Sequence, residues 1–438
     1  MKNQFSENLK KARKEHNLSQ EQLADELGVS RQAISKWESA IAYPEMDKIV
    51  ALCDVLKNRV NKFAEIFNVE EKNCFYDETS FFKEKRADLL IIATQDSDHV
   101  RHAIKGLELG YDILVEKPIS KDLNECLSLL EVQRKTNRKV MVCHVLRYAA
   151  AFTKTKELLD NNVIGDLVDI QAVEQVHYWH YAHSYVRGNW RRDDETSPMI
   201  LAKCCHDLDL IQYYANSKCK SVSSLGNLSH FKKEKAPKGA KERCLDCPYV
   251  DECCYSAKRI YLELWEEYGR PSDCWPVGVI TETRPLTKDV ILKALEEGPY
   301  GRCVFYSDNN VVDHQIVQME FKNGVKANLT MMGPTGTGGR IYKFFGTIGQ
   351  IDLDEENGVI IIKRFGKEKE IIKINDLLID NNSGHGGGDE GLINSLYNML
   401  INDEIPTTSL EASIESHLMG IYAEKSRLNN GVLLELHK

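Results

Sequence analysis

The sequence predicts a multidomain architecture: an all-α module, a truncated parallel α/β domain, and an α+β domain with a large, mainly antiparallel sheet. Three observations predict it. Short amphipathic helices with a glycine turn fill residues 5–56, residues 87–120 read strand, helix, strand, and short alternating strands follow residue 311. At 438 residues, 42% hydrophobic and 28% charged, the chain can build two or three cores. No run of about 18 apolar residues is present, which predicts no membrane span. The charged start, MKNQFSENLKKARKEHN, has no apolar stretch of a signal peptide, so a cytoplasmic location is expected. The thirteen cysteines are then expected to be thiols or metal ligands rather than disulfides. A net charge of −9 argues against a nucleic-acid coat but leaves room for local charge on one small module.

The first domain is assigned to residues 1–57. Phe5 to His16 is amphipathic. Ser19 and Gln22 have capping-box spacing ahead of a second helix, Gly28-Val29 makes a turn, and Ser30 caps RQAISKWES. Met46 to Leu56 is read as a further helix. This stretch resembles the Cro/XRE-type helix-turn-helix domain. The resemblance implies double-stranded DNA as a partner, with Ser30, Arg31, Gln32, Ser35 and Lys36 facing the groove and Gln20 touching phosphate. Arg and Gln suit purine edges because both make bidentate contacts. Arg13 and Glu38 are expected to brace the module. Basic and acidic side chains balance over residues 1–57, which limits the phosphate contribution to affinity.

Residues 58–146 form the second predicted domain. Leu89 to Ile92 is a continuous apolar strand, His99 to Leu109 an amphipathic helix with Gly110 at its C-cap, and Tyr111 to Val115 a second strand. That strand ends at Glu116-Lys117-Pro118, and ligands bind at the carboxyl ends of strands in such sheets. The pattern AT-x4-H followed by LVEKP resembles the glucose-fructose oxidoreductase, inositol dehydrogenase and MocA (Gfo/Idh/MocA) family. The resemblance implies a Rossmann-like domain, NAD or NADP as cofactor, and a sugar or polyol substrate. It assigns Lys117 a catalytic place beside the substrate hydroxyl and makes Thr94, His99, Glu116, Lys117 and His144 cofactor-side candidates. The family's first strand, GxGxxG turn and acid-tipped second strand are read as missing. Arg59 onward is read as the helix after them, and no glycine lies between Gly28 and Gly106. Gly386 to Gly391 satisfies GxGxxG formally, but no buried strand leads into it, so it is read as a loop.

The third predicted domain covers residues 147–438. Its resemblance-derived substrate candidates are Arg147, Tyr148, Trp179, His180, His183, Asp207 and Asp209. SPMILAKCCHDLDL matches the family's second signature and puts His206 at the acid/base position, where an imidazole suits proton transfer near neutrality. Ala202 stands where the family carries aspartate, and Lys203 follows it as a substitute catalytic group. An insertion at about residues 231–312 contains RCLDCPYVDECCYSA. Cys244, Cys247, Cys253 and Cys254 have half of a zinc-ribbon pattern, so zinc is a possible ligand, with Cys274 or His230 completing the set. Packed reduced thiols are the alternative. The strands from Val311 to Ile374 predict the large sheet, and by resemblance it pairs subunits, implying a homodimer or higher homo-oligomer. Two readings of function stand: an oxidoreductase fused to a DNA-binding module, with cofactor binding impaired, or a transcriptional regulator using an inactive oxidoreductase-like body as a sensor.

Overall fold

The computed structural model describes residues 49–378 and 384–437, together with residues 10, 11, 13, 14, 18–27, 31 and 35. The chain falls into two compact units, Met1–Arg86 and Ala87–Lys438. That division runs through the predicted 58–146 segment.

In the first unit, helix α1 (Gln20–Leu27) starts where the capping box predicts it. The Ser19 hydroxyl accepts the Gln22 amide at 3.0 Å, and the Gln22 side chain accepts the Ser19 amide at 2.8 Å. Ala24, on the inner side of this helix, is buried. Strand β1 (Leu52–Cys53), helix α2 (Lys57–Phe67) and strand β2 (Cys74–Phe75) follow. The two strands pair in parallel, Leu52 with Cys74 and Cys53 with Phe75, so they and α2 make a small βαβ unit. This corrects two expectations. The helix read over Met46 to Leu56 gives way to a strand in its C-terminal half, because a short apolar run such as IVALC fits either period. An acid-tipped strand is also present, since Asp54 directly follows β1.

The second unit opens with β3 (Leu89–Ile92), α3 (His99–Glu108), β4 (Asp112–Val115), α4 (Leu123–Thr136) and β5 (Val140–Val142). The three strands form a parallel sheet in sequence order. Gly106 lets α3 lie close on it: a Cβ there would meet Ile113 and Leu90 at 2.8 Å. Asp122 caps α4 by accepting the Asn124 amide at 2.7 Å.

Helix α5 (Ala150–Asp160) leads to β6 (Leu167–His177), helical turns over 178–191, α6 (Cys205–Ala215) and β7 (Cys219–Asn227). The insertion follows, ending in α7 (Lys288–Glu297). Then come β8 (His314–Phe321), β9 (Lys326–Thr335), β10 (Gly339–Gly346), β11 (Gly349–Asp354), β12 (Val359–Arg364) and β13 (Glu370–Lys373). Helices α8 (Gly388–Ile401) and α9 (Leu410–Leu428) and strand β14 (Leu434–Glu435) finish the chain. The sheet has nine strands in the order β13-β12-β11-β10-β6-β9-β8-β7-β14. Only β6 with β9 is parallel; the other pairs are antiparallel, as the alternating sequence predicts. One face packs on α6 and α9 through buried residues such as Leu208, Leu210, Leu418 and Met419. No helix among the described residues is long and apolar enough to cross a membrane. All thirteen cysteines are free thiols.

Candidate active site

The carboxyl end of β4 is held from three sides. The Glu116 carboxylate accepts the Lys117 amide at 3.2 Å, and the Lys117 ammonium donates to the Ala202 carbonyl at 3.1 Å. The Ile119 amide donates to His417 Nε2 at 2.8 Å. An amide can only donate, so Nε2 is unprotonated; Nδ1 then carries the hydrogen, which it gives to the Ser413 carbonyl at 2.7 Å. His417 is fully buried, and burial, the largest influence, lowers its pKa to about 4. Sequence reasoning missed this residue, because nothing marks one histidine on a C-terminal helix as a partner of a loop nearly 300 positions away.

His206 lies in the first turn of α6, half-buried, with its Nδ1 enclosed and lacking a hydrogen-bond partner. Burial pushes its pKa well below the usual value, and the Lys117 ammonium adds the largest charge effect, followed by His144, Arg340 and Lys203. The ring is therefore neutral at physiological pH and can accept a proton. His144 is fully buried, its ring 5.8 Å from that of His206 and 5.6 Å from that of His417. Burial lowers its pKa to about 3, against the opposing pull of Asp209, whose Oδ1 is 3.9 Å from Nε2. The structure thus brings Lys117, His206, Lys203 and His144 together.

Other candidates have their polar groups engaged inside the protein. Arg147 and Asp209 form a buried bidentate pair at 2.6 and 2.8 Å, and Arg147 also donates to the Thr407 carbonyl and the Gln212 side chain. This pair is structural, since a buried charge needs its partner at hand. Asp207 accepts from Arg340 at 2.8 Å and from Tyr342 at 3.2 Å. Burial raises the Asp207 pKa to about 7 although Arg340 opposes the rise. Glu174 pairs with Lys203 at 3.1 Å and with Arg340 at 3.0 Å. Lys203 is therefore tethered to a buried carboxylate at the margin of the site. The Tyr148 hydroxyl bonds Ser395 and Thr408. His99, a cofactor candidate, is buried and joins the Pro118 carbonyl at 2.8 Å to the Thr94 carbonyl at 3.0 Å, so it clamps the loops after β3 and β4. The Thr94 hydroxyl is exposed and bonds His102.

Beside Lys203 lies an aromatic cluster. The His180 ring is 6.0 Å from Trp179 and 5.0 Å from Trp275, while His183 bonds the Tyr261 hydroxyl at 3.0 Å and stacks on Tyr300 at 5.0 Å. Trp275, Tyr261 and Tyr300 come from the insertion and were missed. Trp190, also missed, donates from its indole to Asp96 at 3.3 Å and ties the loop after β3 to the body.

The zinc expectation is not met. Among the described residues no three histidine, cysteine, aspartate or glutamate side chains gather as a metal site. Cys244 is buried and accepts from Arg187 at 3.5 Å, Cys247 and Cys253 are half-buried, and Cys254 is exposed. Half of a ribbon pattern did not bring four thiols to one point. Burial raises the Cys253 and Cys254 pKa values, favouring thiols.

Of the DNA-facing candidates, Gln20 begins α1, and Arg31 and Ser35 are helical and exposed. Ser30, Gln32, Lys36 and Glu38 lie outside the described residues.

A dinucleotide needs a ribose-binding acid and a pyrophosphate cradle. Asp54 has the right place for the first, at the carboxyl end of β1, with its carboxylate accepting the Leu56 amide at 2.8 Å. The motif LCDV, an apolar run ending in aspartate, was the overlooked signal. The cradle does not fit: it belongs in a glycine-rich turn ahead of the acid-tipped strand, and Gly28 is the single glycine in residues 1–105.

Residues 156–432, more than half of the chain, match the sequence model of the "Oxidoreductase family, C-terminal alpha/beta domain" of the Gfo/Idh/MocA group. The chain belongs to the Gfo/Idh/MocA oxidoreductase family. Residues 9–63 match a helix-turn-helix model, so the chain is a fusion of the two. YteT of Bacillus subtilis (strain 168), an oxidoreductase by name, is 23% identical over 77% of this chain and 78% of its own length. The scyllo-inositol 2-dehydrogenase (NAD(+)) of the same organism is 26% identical over 41% of this chain and 50% of its own. Apart from YteT, this chain spans half or less of the length of the curated relatives it matches. An inositol dehydrogenase homolog from Azotobacter vinelandii, solved with NADH and myo-inositol, shares the fold. Its TM-score is 0.60 at 14% identity, covering 89% of this chain and 90% of the other.

Proposed function

We propose that this family member is a DNA-binding protein whose oxidoreductase body takes a sugar or polyol hydroxyl between Lys117 and His206. The observation that carries the reading is where Lys117 reaches: its ammonium donates to the Ala202 carbonyl at 3.1 Å, four residues before the half-buried His206 in the first turn of α6. The ammonium can hydrogen-bond the hydroxyl oxygen and stabilise negative charge developing on it, while the imidazole accepts the proton. Lys203, held by Glu174, keeps a second positive charge beside this pair. The named inositol dehydrogenases among the relatives support a polyol-like substrate. NAD or NADP would supply the redox chemistry by family, although no glycine-rich cradle for its pyrophosphate precedes β1.

A second reading, a sensor without turnover, is favoured by the absence of any glycine between Gly28 and Gly106. Self-association as a homodimer is supported by exposed apolar residues on neighbouring strands of the large sheet, including the cross-strand pair Leu225 and Ile316.

Thermal-shift titration with inositols, NAD(H) and NADP(H) tests the body, since a ligand that binds the native state raises its stability. A shift with inositols or related sugars that is lost in Lys117→Ala and His206→Ala supports the site; retained shifts in both variants refute it. Cofactor-dependent turnover selects the enzyme reading, and polyol binding without turnover selects the sensor. Enrichment of a two-fold-symmetric duplex from a random library, lost in Arg31→Ala/Gln32→Ala, supports DNA recognition.

A further inference from the structure

We propose that the insertion at residues 231–312 adds a second carbohydrate subsite, with Trp275 as its platform, so that the protein takes glycosides of at least two sugar units. This rests on the reading of Lys117 and His206 as the site of a sugar or polyol hydroxyl. The insertion's other large rings near the site are packed away: Tyr261 is fully buried, and Tyr300 stacks on His183 with little exposure. Trp275 differs, remaining 49% exposed with its ring 5.1 Å from Trp179, 5.0 Å from His180 and 5.6 Å from His183.

The platform is built, not incidental. Arg284 donates to Asp273 at 2.9 Å, to the Gly278 carbonyl at 2.7 Å and to the Thr281 carbonyl at 2.7 Å, fastening the loop on either side of Trp275. The Trp265 indole anchors the preceding turn through the Pro271 carbonyl at 2.9 Å.

Its neighbours suit a sugar. A flat indole offers an apolar surface to the C–H face of a pyranose, and neutral imidazoles at its edge can donate to and accept from hydroxyls. Burial lowers the pKa of His180 and of His183 to about 3, so both rings are uncharged. His180 connects this cluster to the reacting end: it stands three residues beyond β6, the strand whose Glu174 holds Lys203 at 3.1 Å. A sugar with its hydroxyl at Lys117 would direct its next unit across His180 towards Trp275. A lone cyclitol would leave that indole uncovered.

The test uses the full chain and an array of monosaccharides, methyl glycosides and the disaccharides built from them. Binding is followed by tryptophan fluorescence and calorimetry. At least one disaccharide is expected to bind roughly tenfold more tightly than its monosaccharide, the scale of one aromatic stacking contact. Trp275→Ala should remove that advantage, leave monosaccharide affinity unchanged, and be largely rescued by Trp275→Phe. Monosaccharide binding that depends on Lys117 but gains nothing from a second unit overturns the subsite and leaves the hydroxyl site standing. Equal loss of both affinities in Trp275→Ala also overturns it, because Trp275 would then belong to the first site. If no sugar of any length binds the folded protein, the hydroxyl-site reading falls, and the subsite with it.

Discussion

Replacing His417 with phenylalanine should loosen the Lys117 segment while leaving the large sheet intact. Phenylalanine preserves the ring's bulk but removes the acceptor for Ile119 and the donor to Ser413. Leaving the Ile119 amide buried without a partner costs about 1–3 kcal/mol, and the lost net hydrogen bonding adds about 1 kcal/mol. A net change of about 2–4 kcal/mol would raise local opening roughly 30- to 900-fold. Hydrogen exchange of a peptide spanning residues 115–121 measures this directly. Exchange within about threefold of the parent chain, with the rest of the protein unchanged, would refute the assignment. Acid should reproduce the effect. The folded pKa of His417, about 4, lies below the unfolded value, so its stabilisation is complete above about pH 6.5. It is lost as the pH falls towards 4, by about 3 kcal/mol in all.

The same sign applies to His144, His180 and His183, each lowered to about 3 chiefly by burial. Together with His417 they predict a loss of about 5 kcal/mol per pH unit between pH 6 and 4.5, of which the raised Asp207 returns about 1, and a domain of ordinary stability unfolds within that window. Urea midpoints at pH 7, 6 and 5 measure this, and equal midpoints at 7 and 5 would contradict it. Arg147→Met should destabilise by about 3–5 kcal/mol by stranding Asp209, and Arg147→Met/Asp209→Leu should recover much of the loss. Denaturant unfolding of the three chains decides it: a double variant as unstable as the single one would count against a purely structural pair.

The sequence by itself determined what depends on neighbours along the chain. The Ser19–Gln22 capping box, the apolar run Leu89–Ile92 ending in a turn, and the alternating strands from His314 onward each carry a local period or cap, and each formed its element, although Ile91 stays exposed where burial on both faces was expected. The positions of Lys117 after a strand end and of His206 at a helix start were legible from their motifs. Local signals failed where they were short or ambiguous: IVALCD fits a helix as well as a strand, and this concealed Asp54. Tertiary structure alone decided which polar groups were already committed. Arg147 and Asp209 lie 62 positions apart, Asp207 and Arg340 133 apart, and Ile119 and His417 298 apart. Their pairing follows from where α6, β10 and α9 pack, and desolvation on packing then makes each partner obligatory. For the same reason Trp275 reads on its own as one more aromatic residue in a cysteine-rich insertion. Only the fold sets it against Trp179 and His180.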